Sequence, residues 1–285
     1  MIMQDLQSPG APRVPQAPPS SRWRPGPLII GAAAVHAAAA AAVLADSATM
    51  PWAVGGVIGS HLALAGAGLW PRSTLLGPNL LRLPPSASDC VALTFDDGPH
   101  PELTPRVLDL LDRHGARATF FCIGDRAQQY PGLVLEIVRR GHDVENHSMR
   151  HPLLFSTYGP RRIYKEIIAA QNVLTAITGL APRYFRAPAG LRNPWLDPIL
   201  CKLGLQLATW TRRGFDTRDG DRAARIAQTL TGKLAGRDIL LLHDGHAGRG
   251  PDGRPHLLTV LPAVLAATQR AGLRCVTLRA GTATN

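Results

Sequence analysis

Residues 91–99 read VALTFDDGP: five residues of strand character, two adjacent carboxylates, then a Gly-Pro turn. Alone, Asp96-Asp97-Gly98-Pro99 makes an ordinary turn as readily as a reactive site. What recurs downstream decides between them. Short β-rich runs alternate with helical stretches to the C-terminus: ATFFC (118–122), DVENH (143–147), YFRAP (184–188), QLATW (206–210), ILLLH (239–243) and LRCVTL (273–278). Between them lie amphipathic segments such as LTPRVLDLLDRHG, YPGLVLEIVRRG and RRIYKEIIAAQNVLTAITG, each closing on the glycine that helix C-termini prefer. Strand, helix, strand in sequence implies a parallel sheet, because each return needs a crossover. Seven such units suit an open doubly wound sheet or a barrel.

The chemistry-bearing residues choose between the two. Asp96 and Asp97 follow the first run, and His147 ends the third. Arg186 lies in the fourth, Trp210 ends the fifth, and His243 and Asp244 close the sixth. Polar groups at the C-terminal ends of many different strands are what a barrel uses for its site, whereas an open sheet gathers them at one switch point. The expectation is therefore an α/β fold, a distorted (β/α) barrel of about seven strands over residues 86–280, with 281–285 left as a tail.

Upstream the character changes. Residues 1–27 are rich in Pro, Ser and Gln, carry Arg13, Arg22 and Arg24, and read as a disordered tail. PLIIGAAAVHAAAAAAVLA (27–45) and WAVGGVIGSHLALAGAGLW (52–70) follow, separated by DSATMP. Each approaches the ~20 apolar residues that span a bilayer. A signal sequence followed by a core helix fits less well: the first run lies well inside the chain, and no small-residue cleavage site precedes a polar start. Two transmembrane helices over 28–70, then a linker over 71–85, is the preferred reading. The connector has no arginine, while the tail has three and Arg72 and Arg82 follow the second run. The positive-inside rule then puts both ends, and the catalytic domain, on the cytoplasmic side of an inner membrane. Polyalanine is only marginally hydrophobic, so a first run that failed to insert would leave one anchor and a periplasmic domain.

Of 285 residues, 45% are hydrophobic and 18% charged, which excludes a wholly disordered chain; no Gly-X-Y or heptad period runs through it. The net charge of +11 is almost all arginine, with Lys165, Lys202 and Lys233 the lysines. The arginines are scattered rather than clustered, so nucleic acid is not an expected partner. Cys90, Cys122, Cys201 and Cys275 form neither a CxxC nor a zinc-finger spacing and read as buried thiols.

One HxxxH, His147 and His151, is more often incidental than a metal site; it puts both imidazoles on one side if that stretch coils. Joint occurrence carries more. With TFDDGP (94–99), NHSMRHP (146–152), FRAPAG (185–190) and LLLHDG (240–245) in this order, the sequence resembles the polysaccharide deacetylase family, the NodB-homology carbohydrate esterases. The likeness covers roughly residues 86–280. It implies a distorted barrel of seven or eight strands and a divalent metal, usually Zn²⁺, though Co²⁺, Ni²⁺ and Mn²⁺ accept the same donors. It assigns Asp97, His147 and His151 as metal ligands with a position left for water. Asp96 becomes the base, Arg186 its partner, and His243 the acid that protonates the leaving amine. An aspartate orients that histidine in the family; Asp216 is the candidate, with Asp219 behind it. Pro188, Ala189, Gly190 and Trp210 would face the sugar, the Ala189 N–H helping to hold an oxyanion.

Three departures stand out. Ala189 replaces an aromatic residue of many relatives; WTRRGFDT, offering Trp210, Arg213 and Asp216, matches its motif poorly; and Glu145 falls on the side of His147. Glu145 either approaches the metal or forms an internal ion pair, the second being the commoner fate of a buried charge. The function implied is a metal-dependent hydrolase removing an N-acyl group, acetyl first, from an amino sugar in a membrane-associated glycan or glycolipid. A cytoplasmic domain would meet a lipid-linked sugar, for which relatives that deformylate an aminoarabinose lipid are a precedent by resemblance. A periplasmic one would meet peptidoglycan or an exopolysaccharide. A catalytically inactive glycan-binding membrane protein is the non-enzyme alternative.

Overall fold

The computed structural model describes residues 22–283. In chain order it contains α1 (Pro27–Ala45), α2 (Met50–Leu69), β1 (Cys90–Asp96), α3 (Leu103–Arg113), β2 (Thr119–Cys122), α4 (Gly124–Gln129), α5 (Pro131–Arg139), β3 (Asp143–Asn146) and α6 (Pro160–Thr178). These are followed by β4 (Tyr184–Phe185), α7 (Leu196–Lys202), β5 (Gln206–Leu207), β6 (Arg212–Arg213), α8 (Ala223–Thr231), β7 (Ile239–His243), α9 (His256–Arg270), β8 (Arg274–Val276) and α10 (Leu278–Thr282).

Seven parallel strands in the order β5-β4-β3-β2-β1-β7-β6 curl into a half-barrel, and β8 pairs with the first residues of β1. The two edge strands, β5 and β6, are separated in the chain only by residues 208–211, so the sheet must bend for both to hold their places. Leu80 covers one edge by bridging Ala208. β1 lies inside the sheet between β2 and β7 and is buried along its whole length, as a parallel strand covered on both faces should be. Its side chains alternate. Val91, Leu93 and Phe95 face outward into a core built with Leu108 and Leu111 of α3 and Leu261 of α9. Cys90 and Ala92 face inward with Phe121, Tyr184 and Trp210. The period of two therefore turns Thr94 and Asp96 into the barrel at its carboxyl end.

The strands are shorter than the β-rich runs predict. YFRAP contributes only Tyr184–Phe185 and QLATW only Gln206–Leu207, because Arg186 and Ala208–Trp210 turn toward the interior and spend their polar groups on each other. β6 is a strand the runs did not predict: Arg212 pairs with Leu240 of β7, its guanidinium held by buried Asp238 at 2.6 Å.

Among the described residues, α1 and α2 are the helices long and apolar enough to cross a membrane. They pack against each other, with His36 and His61 rings edge-on at 5.1 Å. Away from that contact they are bare. The outer end of each rests on the α/β body: the Leu28 N–H donates to Leu75 O, and Arg192 N–H to Gly68 O. The segment after α2 is packed too, with Leu76 and Leu83 fully buried and Arg237 Nε donating to Leu83 O. Most of the Pro-rich N-terminal stretch lies outside the described residues; Trp23, within them, donates its indole N–H to Asp197 at 2.8 Å. At the other end α10 continues through Thr282, into the stretch expected to be a tail.

Candidate active site

The site grows from the carboxyl ends of the strands. After Asp96 the chain turns sharply, with Asp97 in the left-handed region at φ 71°. Gly98 and Gly245 let this turn pack against the His243-Asp244-Gly245 loop. A Cβ on Gly245 would lie 1.9 Å from Asp97 O, and one on Gly98 would strike the Asp244 carboxylate. Arg126 of α4 ties the two loops, donating from Nη1 to Asp97 O and Gly245 O, both at 2.8 Å. Thr104 donates to buried Asp244, whose carboxyl burial pushes up to about 7.

His147 leaves the end of β3. Its Nδ1 meets Arg186 O at 2.8 Å, a carbonyl that can only accept, so Nδ1 carries the proton and Nε2 offers its lone pair. The stretch to His151 does not coil into a helix. Ser148 and His151 both take positive φ, 64° and 52°, while Asn146 Oδ1 accepts from Ser148 N–H and Ser148 Oγ from His151 N–H. That turn brings the rings to 4.8 Å and places each Nε2 3.3 Å from Asp97 Oδ1. Ligand atoms of Asp97, His147 and His151 all lie within 4.8 Å of one another. Asp97 Oδ1 is buried with no hydrogen-bond partner, an orphan that a cation among these donors would satisfy. Two imidazoles and a carboxylate form the donor set of an open divalent-metal site. Holding Asp97 and His151 in the left-handed region costs free energy, the kind of strain found where geometry serves chemistry.

Burial pushes the Asp97 carboxyl up, but the imidazoles of His147, His243 and His151 around it outweigh burial and hold it below the usual range. Burial would lower the His147 imidazole; Asp96 and Asp97 raise it instead. At His151 burial wins, and the ring falls to about 4.

Asp96 Oδ1 takes a 2.7 Å bond from Arg186 Nη1, while Oδ2 stands 3.8 Å from His147 Nε2. Arg186 is fully buried and spends its remaining donors on Thr94 Oγ1, Ala208 O and Thr209 O, with its guanidinium 4.0 Å over the Phe121 ring. His243 ends β7. Its Nδ1 lies 2.8 Å from Asp216 Oδ1, and its N–H donates to Asp216 Oδ2 at 2.8 Å. Burial works against the charged ring, but the charge and hydrogen bond of Asp216 raise its pKa overall. Asp219 is elsewhere, accepting from Arg249 N–H.

These groups surround one cleft of about 420 Å³. Ala189, Gly190 and Trp210 form part of its wall, with Ala189 at φ 55°, whereas Pro188 is buried and does not line it. Glu145 is not at the cleft. Its carboxylate accepts from Arg183 N–H, Tyr184 N–H and, at 2.7 Å, Arg279 Nε. Sequence reasoning missed Arg126 and Thr104, which fix the loops; neither sits in a motif, and no spacing marks them.

The arrangement sets three side chains that could hold a cation, a carboxylate beside them and a histidine fixed by an aspartate around one cleft. Comparison with known proteins agrees. The family described as polysaccharide deacetylase matches residues 84–208. A Bradyrhizobium chitooligosaccharide deacetylase is 38% identical over 167 residues, covering 56% of this chain and 73% of the relative. A peptidoglycan-N-acetylglucosamine deacetylase of Bacillus cereus is 34% identical, covering 68% and 88%. The chain belongs to the polysaccharide deacetylase family. Among solved structures, a family 4 carbohydrate esterase from Streptomyces lividans in complex with acetate superposes with a TM-score of 0.59 at 30% identity, covering 70% of this chain and 98% of that one. This polysaccharide deacetylase is thus a hydrolase of the acyl–nitrogen bond in carbohydrates, and Asp97, His147 and His151 form the cluster in it fit to hold a metal.

Proposed function

We propose that the protein removes the N-acetyl group of an amino sugar in a membrane-associated glycan or glycolipid, with Zn²⁺ between Asp97, His147 and His151. The observation that carries this reading is the orphaned, buried Asp97 Oδ1 facing two Nε2 atoms, with the Asp96 carboxylate alongside. A divalent cation in that position supplies Lewis acidity, polarising the amide carbonyl and lowering the pKa of a water.

The chain's own residues do the rest. Asp96 Oδ2 accepts the proton of the attacking water, and Arg186 holds the other carboxylate oxygen in place. Oxygen–carbon bond formation at the acyl carbon builds negative charge on its oxygen, toward which the Ala189 N–H would donate. His243, held by Asp216 with its Nδ1 engaged, gives a proton from Nε2 to the sugar nitrogen as the carbon–nitrogen bond breaks. An amide nitrogen needs that proton, since it cannot depart as an anion. Acetate and a free amine result, while Trp210, Ala189 and Gly190 bound the sugar.

The hairpin α1–α2 is read as a membrane anchor whose two ends face the cytoplasm, following the arginines that flank it. Support comes from its bare apolar surface and from the docking of both its ends on the α/β body. A lipid-linked amino sugar is then the substrate class. The named activity of the Bacillus cereus relative favours a second reading, in which one helix spans and the domain meets exported peptidoglycan.

Two experiments test these points. Full-length protein in detergent, loaded with Zn²⁺ and given N-acetylated chito-oligosaccharide, should release acetate; folded protein that binds no metal and releases none contradicts the reading. Reporters active only in the periplasm or only in the cytoplasm, fused after Asn285, should show cytoplasmic activity. Periplasmic activity alone would move the substrate to the exported glycan.

A further inference from the structure

A second cleft, of about 460 Å³, adjoins the catalytic one and shares Trp210 and Arg213 with it as a common wall. The end of α2 and the residues after it, Trp70 to Arg72, frame one side, and β6 the other. Its ionisable lining is four arginines against one aspartate, Asp238. Two of the arginines answer that carboxylate: Arg82 Nη2 lies 3.0 Å from Oδ1 and Arg212 Nε 2.6 Å from Oδ2.

Arg72 and Arg213 have no such partner among the described residues. Arg72 makes one long contact, 3.5 Å from Nη1 to Thr211 O. The Arg213 guanidinium stacks between rings, 5.3 Å from Trp210 and 4.9 Å from Phe215, and its Nε is buried without a hydrogen-bond acceptor. A half-buried guanidinium whose buried Nε–H goes unanswered is stabilised by an anion that completes it. Guanidinium forks match phosphate oxygens two by two. The mouths of the clefts are also apolar. Trp70 and Phe215 line the second and Leu153 the first, all three exposed, next to the foot of an apolar helix.

We infer that the second cleft binds a phosphate carried on the anomeric carbon of the amino sugar, gripped by Arg72 and Arg213. In a 2-acylamino sugar the anomeric carbon adjoins the one bearing the amide. A phosphate in the second cleft therefore leaves the acyl group on the metal side of Trp210. The position at the end of α2 and the exposed Trp70 and Phe215 commit the bearer of that phosphate to a polyprenyl lipid. The inference rests on the N-deacylase reading of the neighbouring cleft and names the substrate class of that site.

The test uses full-length, Zn²⁺-loaded protein in lipid nanodiscs with three substrates: N-acetylchitotriose, N-acetylglucosamine 1-phosphate and a polyprenyl-phosphate-linked N-acetylglucosamine. Both phosphorylated substrates should exceed the neutral one in kcat/KM by at least tenfold. Arg72→Gln and Arg213→Gln should each erode that preference by roughly ten- to a hundredfold, the range of one charge-assisted hydrogen-bonded contact. Highest kcat/KM for the polyprenyl substrate supports the lipid as the source. Equal use of the two phosphorylated sugars supports the phosphate subsite and overturns the lipid. Equal use of neutral and phosphorylated sugars, or variants that slow all three alike, overturns the subsite itself. Calorimetric titration of metal-free protein with inorganic phosphate reads the cleft without turnover. Binding lost in the Arg72→Gln/Arg213→Gln double variant supports the subsite; no binding, or binding unchanged in the variant, overturns it. Absence of turnover on every substrate, with phosphate still bound, would instead defeat the deacylase reading.

Discussion

Two carboxylate–arginine pairs of the half-barrel, Glu145–Arg279 and Asp96–Arg186, are completed differently. Toward the amino ends of β2 and β3, α10 closes over Glu145, which receives Arg279 and two backbone N–H groups; Leu278 and Arg279 bond across to Thr119 and Asp143. Burial pushes the Glu145 carboxyl up to about 7, with Arg279 pulling the other way. At the carboxyl ends, Asp96 also meets a buried arginine, but only through Oδ1, and its other oxygen faces the His147–Asp97 cluster. The same chemical pair is closed where every acceptor is used and open where one carboxylate oxygen is left facing a cleft, which is where the proposed reaction needs it. Asp216 extends the contrast: both its oxygens are committed, yet to a histidine that borders the cleft, and the proposed mechanism has it act through that ring.

Substitutions can break or sharpen this contrast. Among variants that leave the metal donors and Asp96 intact, the largest effect is expected from Asp216→Asn, which removes the charge that raises His243 and fixes its tautomer. Turnover should fall roughly 10²- to 10⁴-fold with bound metal unchanged, read by acetate release beside metal analysis. Metal lost in parallel would move Asp216 into the cation site.

Glu145→Ala should show the opposite signature. It strands a half-buried guanidinium and two N–H groups, and should cost about 3–5 kcal/mol in denaturant unfolding while turnover per folded molecule stays near the parent value. Intact stability with lost turnover would erase the distinction between the two pairs.

The smallest effect is on pH dependence and also concerns the amino ends. His142 accepts the Ala118 N–H through Nδ1 and packs edge-on against Phe120, and burial lowers its pKa from 6.5 to about 4. The unfolded chain therefore takes up a proton that the folded one refuses between those values. Stability contributed by the neutral ring is full above pH 6.5 and lost as pH falls toward 4, by up to about 3 kcal/mol. Unfolding of a His142→Phe variant followed across that range should show a shallower acid slope; a slope equal to the parent's would contradict this.

The contrast also shows what the sequence could reveal. Strand–helix alternation and the parallel barrel were legible because β1, β7 and the longer helices carry strong periodicity. The residues gathered at the cleft were legible because they close strands or follow them at once. The rest depends on backbone turns. The loop from His147 to His151 relies on left-handed Ser148 and His151, whereas the i, i+4 spacing aligns the two rings only in a stretch that coils. YFRAP and QLATW stop being strands where their backbone carbonyls turn to serve Arg186. Arg126 and the Glu145–Arg279 pair join residues more than a hundred positions apart through Gly245 and α10, and no local pattern records such partnerships. Asp216 was reachable within a poorly matched motif, yet Asp219 differs from it only by the direction the chain takes after Phe215, itself at φ 59°.

The central claim is the division of labour between adjacent aspartates, one holding metal and one moving a proton. Metal content and acetate release measured together on Asp96→Asn and His147→Ala test it most directly. The account predicts that Asp96→Asn keeps its metal and loses about 10³-fold in turnover, whereas His147→Ala loses both. Equal loss of metal in the two variants would contradict it.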